Sequence, residues 1–201
     1  MEVSHLKAWK KEYSSVTWRG PYDIGPIRAA VPPGALVLDV GCGSGKIMAP
    51  LLRAGYNVVG MDVAREGLLM VREGERIEGD ARHLPFKDSS FDAVVCYDVL
   101  QHLLEAERQM AVAEIKRVLA PGGRVFVEVF GREDMRYGGT AVEPHTFRRE
   151  SGIIYHYFSE AELLELLEGL EPRVESRLTR RVFRGEEHVR HRLFAAGKRQ
   201  K

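Results

Sequence analysis

Three carboxylates and a run of glycines stand out for the chemistry that their types and spacing allow. Val40-Gly41-Cys42-Gly43-Ser44-Gly45 follows an apolar run that ends in Asp39. Alternating glycines let the backbone approach a ligand closely and take positive φ without steric cost. A helix starting at once after them presents free N–H groups at its N-terminus. Asp39, two residues before the first glycine, can pair with a cationic ammonium group, which a phosphate-binding loop would not need. Asp62 ends the next apolar run, seventeen residues past Gly45. There a carboxylate can accept from both hydroxyls of a ribose, at roughly 1.5–3 kcal/mol per bond. A helix N-cap would place an aspartate at the same position. Asp80, in Glu78-Gly79-Asp80-Ala81, could accept from the exocyclic amine of adenine. Three carboxylates at three successive strand ends line the rim where open α/β sheets bind their ligands.

Spacing removes two nucleotide-binding rivals. The dinucleotide fingerprint places a glycine at the sixth position counted from Gly41, where Lys46 stands. The P-loop needs four residues between a glycine and Gly-Lys-Ser/Thr, a pattern the loop lacks. A nicotinamide oxidoreductase loses its support with the first of these. His102, in Val99-Leu100-Gln101-His102-Leu103, is the candidate general base, because histidine titrates near neutral pH. A structural histidine at a helix start, or one that only lines a pocket, fits the same position. His188 and His191 are three apart on an expected strand and so face opposite ways, which gives no metal site.

Positioning these groups requires alternating strands and helices. Residues 35–40, 57–61, 76–78, 91–97 and 124–130 read as strands, the first being apolar enough for burial on both faces. Residues 46–54, 65–72 and 105–119 read as helices between them. Such alternation predicts right-handed βαβ units and a parallel sheet. Ser159 with Glu162 forms a capping box that opens a Leu-rich helix closed by Gly169. Strands at 173–183 and 189–196 follow, joined closely enough for a hairpin, so one of them must run antiparallel. Upstream, Leu6, Trp9, Tyr13 and Val16 recur at helical spacing, and a short helix at 22–30 stops before Pro32-Pro33-Gly34. Residues 131–157 carry no regular pattern, and segments of that length are usually functional or mobile.

The composition, 44% hydrophobic and 29% charged over 201 residues, suits one soluble domain. No apolar run reaches the roughly 18–20 residues that span a membrane. The first residues lack a signal-peptide layout, so a cytoplasmic protein is expected. Cys42 and Cys96 lie in apolar, strand-like surroundings and read as reduced core residues. The net charge of +1 hides an asymmetry: from Arg173 onward ten Lys/Arg face three Glu. Such a region can hold a nucleic acid or an anionic substrate, or can be the solvated face of edge strands.

Five segments together carry a family likeness: Val37-Leu38-Asp39-Val40-Gly41-Cys42-Gly43-Ser44-Gly45, Val59-Gly60-Met61-Asp62, Gly79-Asp80-Ala81-Arg82-His83-Leu84-Pro85-Phe86, Ser90-Phe91-Asp92-Ala93-Val94-Val95 and Arg117-Val118-Leu119-Ala120-Pro121-Gly122-Gly123. In this order they resemble the class I S-adenosylmethionine-dependent methyltransferases. The resemblance implies an α/β fold, a Rossmann-like doubly wound seven-stranded sheet of order 3-2-1-4-5-7-6 with strand 7 antiparallel. It implies a helical N-terminal extension over residues 1–34 and a methyltransferase domain over 35–201. Asp39, Gly41, Cys42, Gly43 and Gly45 would serve the methionine moiety, Asp62 the ribose, and Asp80 with Ala81 the adenine. Met61 and Val63 would flank the adenosine, and Tyr97 and Asp98 would face the methionine end and the methyl group. S-adenosylmethionine would be the cofactor and S-adenosylhomocysteine the product, with no metal.

The acceptor is expected to be a small molecule, with selectivity set outside the core by Trp9, Tyr13 and Trp18 in the N-terminal helix and by the 131–157 segment. That segment carries Arg132, Arg136, Tyr137, His145, Arg148 and Arg149, whose arginines could hold a carboxylate, a phosphate or RNA or could be solvated surface charge. An RNA or protein methyltransferase using the basic C-terminal hairpin is one alternative. A protein that binds S-adenosylmethionine without catalysis is another. No Asn/Asp-Pro-Pro-Tyr/Phe follows the fourth strand, where Cys96-Tyr97-Asp98-Val99 stands, which disfavours base or amide N-methylation of that type. Cys96 has no proline before it, which argues against covalent addition to a pyrimidine.

Overall fold

The computed structural model describes residues 8–9, 11–13, 22–183 and 185–200. Among the described residues the strands are β1 (Leu36–Val40), β2 (Asn57–Asp62), β3 (Glu75–Glu78), β4 (Phe91–Tyr97), β5 (Leu119–Phe130), β6 (Thr140–Glu143), β7 (Thr146–Arg148), β8 (Ile154–His156), β9 (Arg173–Phe183) and β10 (Glu186–Lys198). The helices are α1 (Gly25–Ala30), α2 (Met48–Arg53), α3 (Arg65–Leu68), α4 (Glu105–Val118) and α5 (Glu160–Leu166), with a 3-10 turn at Leu100–His102. Residues 8–9 and 11–13 are helical, as the spacing of Trp9 and Tyr13 requires, whereas Leu6, Val16 and Trp18 lie outside the described residues.

Seven strands form one sheet in the order β3-β2-β1-β4-β5-β10-β9. Numbered within that sheet, this is the expected 3-2-1-4-5-7-6. The first five run parallel, and β10 is antiparallel to both β5 and β9. Period-2 alternation gives each central strand two apolar faces. Leu38, Val40, Val94, Cys96, Val125, Val127 and Val129 join the core under α4 and α5, with Ile115 and Leu163. Val37, Ala93, Val95, Tyr97 and Phe126 join the opposite core with Ile27 of α1 and Met48 and Leu51 of α2. Both cysteines are buried and free. No helix among the described residues is long and apolar enough to cross a membrane.

The structure differs from the sequence reading in several places: the helix read at 65–72 ends at Leu68, the strand read at 124–130 starts at Leu119, and three further differences bear on the site. Residues 131–157, read as patternless, contain a three-stranded antiparallel sheet, β6-β7-β8. Its strands are three or four residues long and β6 is bulged between Ala141 and Glu143, too short and irregular for a period to show. The helix after the glycine loop begins at Met48, two residues later than expected, and Ala49 N closes back onto the Gly45 carbonyl at 3.0 Å. The capping box at α5 forms by half. Ser159 Oγ accepts from Glu162 N at 3.2 Å, but the Glu162 carboxylate turns to His156 Nε2 at 2.6 Å.

Candidate functional site

The glycine loop is bent by its backbone and held by the next strand. Gly41 and Gly43 sit at φ +73 and +52. A side-chain carbon at Gly41 would stand 2.1 Å from Val99 Cγ2, so the residue after β1 must be glycine to pass the turn after β4 so closely. The amides of Gly41 and Cys42 both donate to the Met61 carbonyl, at 2.7 and 3.0 Å. Asp62, one residue on, accepts from Gly43 N and from Ala64 N, each at 2.8 Å. The aspartate expected to meet a ribose therefore also fastens the loop to the end of β2.

Asp39 is 2% exposed, and its Oδ2 has no hydrogen-bond partner. Burial, with the Asp62 charge adding to it, raises its carboxyl well above the usual carboxylate range. The Tyr97 hydroxyl at the end of β4 is likewise buried without a partner. A buried, unpaired carboxylate costs free energy until a cation or donor reaches it. The ammonium of an amino-acid moiety fits Asp39 on that ground. Burial also raises the Asp62 carboxyl, against three amides that lower it. Asp80 behaves oppositely. Burial pushes its carboxyl up, but Arg82 outweighs this, through its amide at 2.9 Å and its Nε at 2.9 and 3.0 Å. An adenine amine would have to share this carboxylate with Arg82.

Two cavities open on the carboxyl rim of the sheet. One is bounded by Met61, Asp62, Val63, Asp80, Ala81 and Leu103. The other reaches from Asp39, Cys42, Gly43 and Lys46 past Tyr97 to Phe130, Tyr155 and three arginines, Arg136, Arg190 and Arg192. Trp9, Tyr13, Gly41, Asp98 and His102 line both. Of the residues singled out in the sequence, Gly45 lines neither, being packed on Val71. His145 also lines neither: it sits between β6 and β7 with Nδ1 2.6 Å from the Tyr137 hydroxyl.

Asp98 and His102 stand where the cavities meet. Asp98 takes φ +59 directly after β4 and accepts from Tyr22, Arg192 and Gln101, the last at 2.7 Å. Burial would raise its carboxyl, but Arg192 and these donors hold it below the usual range. The Nδ1 of His102 lies 2.9 Å from the Ile154 carbonyl of β8. A carbonyl can only accept, so Nδ1 carries the proton and Nε2 keeps its lone pair. Burial pushes the His102 pKa down to about 4. Trp9 meets the His102 ring edge-on at 4.6 Å and Tyr155 lies 5.1 Å away.

Sequence reasoning did not single out Tyr22, Lys46, Phe130, Tyr155 or Arg192 as site residues. Arg190 and Arg192 carried one usable signal, their two-residue spacing on one face of a strand. Among the described residues, no group of three or more His, Cys, Asp or Glu side chains is placed to hold a metal. His188 and His191 lie on β10 in separate surroundings, His188 against Met135 and His191 against Ser176.

The family described as methyltransferase domain matches residues 38–127. A demethylmenaquinone methyltransferase of Renibacterium salmoninarum is 42% identical over 103 residues, 49% of this chain and 42% of that protein. A probable tRNA methyltransferase 9B of Mus musculus is 36% identical over 104 residues, 50% of this chain and 23% of that protein. The chain thus spans less than half the length of these curated relatives. The crystal structure of an S-adenosylmethionine-dependent methyltransferase from Methanosarcina mazei superposes with a TM-score of 0.73 at 27% identity, over 90% of this chain and 99% of that one.

Proposed function

Because the chain belongs to the class I S-adenosylmethionine-dependent methyltransferases, we propose that it moves a methyl group from that donor to a small-molecule acceptor held between His102, Asp98 and Tyr155. The observation that carries this reading is the unpartnered Oδ2 of Asp39 at the wall of a cavity that continues to those residues.

In this reading Asp39 takes the donor's ammonium group, Asp62 the ribose hydroxyls and Asp80 the adenine amine, while Met61, Val63 and Ala81 flank the adenosine. When bound, S-adenosylmethionine supplies a methyl group on a sulfonium, a good leaving group that departs as S-adenosylhomocysteine. The chain's own part is alignment and exclusion of water, which can contribute roughly 7–11 kcal/mol. Trp9 and Tyr13 line both cavities and would shield the reacting centre from water. Where the nucleophile carries a proton, His102 accepts it at Nε2, oriented through Nδ1 by Ile154.

The relatives include a tRNA methyltransferase and one whose name specifies demethylmenaquinone. The basic hairpin is a weaker basis for an RNA acceptor, since Arg177 pairs with Glu175 and Arg180 with Glu187. The test is labelled donor offered with ultrafiltered small molecules and, separately, with total RNA and with total protein from the same cells. Label in the small molecules supports the reading. Label in RNA or in protein alone replaces it, and label in none of the three pools removes transferase activity.

A further inference from the structure

The end of the cavity away from Asp39 gathers three arginines that are not equally bonded. Arg136, Arg190 and Arg192 all line it. Arg192 is matched, bonding Asp98 and lying 3.7 Å from Glu128. Arg136 and Arg190 instead share one carboxylate, the buried Asp134. That carboxylate is taken up by Arg136, through Nε at 2.7 Å, Nη2 at 3.0 Å and the amide at 3.0 Å, and by the His191 amide at 3.2 Å. Arg190 reaches it only at 4.0 Å, outside hydrogen-bond distance, and has no nearer carboxylate among the described residues. Three guanidiniums therefore meet three carboxylates, but the Arg190 guanidinium hydrogen-bonds none of them among the described residues and faces the cavity.

The surroundings fit this as a seat for a ligand. Arg136 stacks on Phe130 with its Cζ 3.9 Å from the ring centroid, and Arg192 lies 4.5 Å from the same ring. Stacking fixes the plane of a guanidinium, and with Arg136 Nε and Nη2 bonded to Asp134 its Nη1 remains to donate. In the β10–β5 register Arg192 faces Phe130, the last residue of β5, so Arg190 lies beyond the carboxyl end of β5. β10 stands three ladder steps from β1, roughly 14 Å at about 4.8 Å per step. That separates the arginines from Asp39, and Lys46 is the cation beside the glycine loop.

We propose that the acceptor is a small anion and that Arg190, with Arg136, holds its carboxylate or phosphate group while Phe130 and Tyr155 pack its body. This rests on the methyl-transfer reading. The paired guanidiniums match the two oxygens of such a group.

The test uses the whole chain. Ultrafiltered cell extract is split on an anion exchanger, and the retained and unretained fractions are each given methyl-labelled donor. Label is expected in the retained fraction. Phosphatase treatment beforehand removes it if the group is a phosphate and spares it if the group is a carboxylate. Arg190→Gln is expected to lower transfer from dilute retained fraction about tenfold. Arg190→Lys should recover part of the loss, and the S-adenosylhomocysteine dissociation constant should be unchanged. Label only in the unretained fraction or in RNA overturns the proposal, as does undiminished transfer by Arg190→Gln. A loss of S-adenosylhomocysteine affinity in that variant would assign the arginine to the donor's own carboxylate and also overturn it. No label in any pool defeats the methyl-transfer reading itself, and the clamp with it.

Discussion

His102 bonds through Nδ1 to the carbonyl of Ile154, 2.9 Å away and fifty-two residues later in the chain. The bond ties the turn after β4 to the small sheet and fixes the tautomer. Burial holds the folded pKa at about 4, against an ordinary 6.5. The sign follows from proton binding: between these values the unfolded chain binds a proton that the folded one refuses. The His102 contribution to stability is therefore full above about pH 6.5 and is lost as pH drops toward 4, by about 3 kcal/mol in all. Denaturant titrations at pH 7 and 4.5 should show the loss for the parent and a smaller one for His102→Gln. As a general base, His102 would give kcat/KM an acid limb near pH 4.

Asp39 predicts a trade between stability and binding. Its raised carboxyl means that folding favours the neutral form, so ionisation costs stability as pH rises through the folded value. Asp39→Asn should raise the melting temperature of the ligand-free protein at neutral pH by about 2–4 °C, the equivalent of about 1 kcal/mol. The same variant should lose S-adenosylhomocysteine binding in calorimetry. A lower melting temperature would show that the carboxylate is structural.

Asp62→Ala should weaken S-adenosylhomocysteine at least tenfold, about 1.4 kcal/mol. Because Asp62 also accepts from Gly43 and Ala64, the ligand-free protein should melt lower as well. Calorimetry with an unchanged dissociation constant would remove the ribose assignment.

Gly41→Ala places a methyl group where Val99 Cγ2 stands, at positive φ. A destabilisation of about 1–3 kcal/mol is expected in urea unfolding. Adding Val99→Ala should recover the steric part only, since the backbone penalty remains. Full recovery would mean that φ costs nothing there.

Residue spacing alone specifies the glycine loop, the strand ends carrying Asp39, Asp62 and Asp80, and the alternation that builds a parallel sheet. These are legible because each lies within one strand–loop–helix unit, where local spacing alone decides what reaches the rim. The small sheet at 140–156 was not legible, since strands of three or four residues carry too little pattern. Nor was the far half of the cavity. Tyr22 and Asp98 are seventy-six residues apart, and Asp98 and Arg192 ninety-four. Periodicity shows which face of a strand a side chain takes, but not which neighbour that face meets. Only the insertion of β10 between β5 and β9, together with the docking of β8 on the turn at His102, set Arg190, Arg192, Phe130 and Tyr155 around one space.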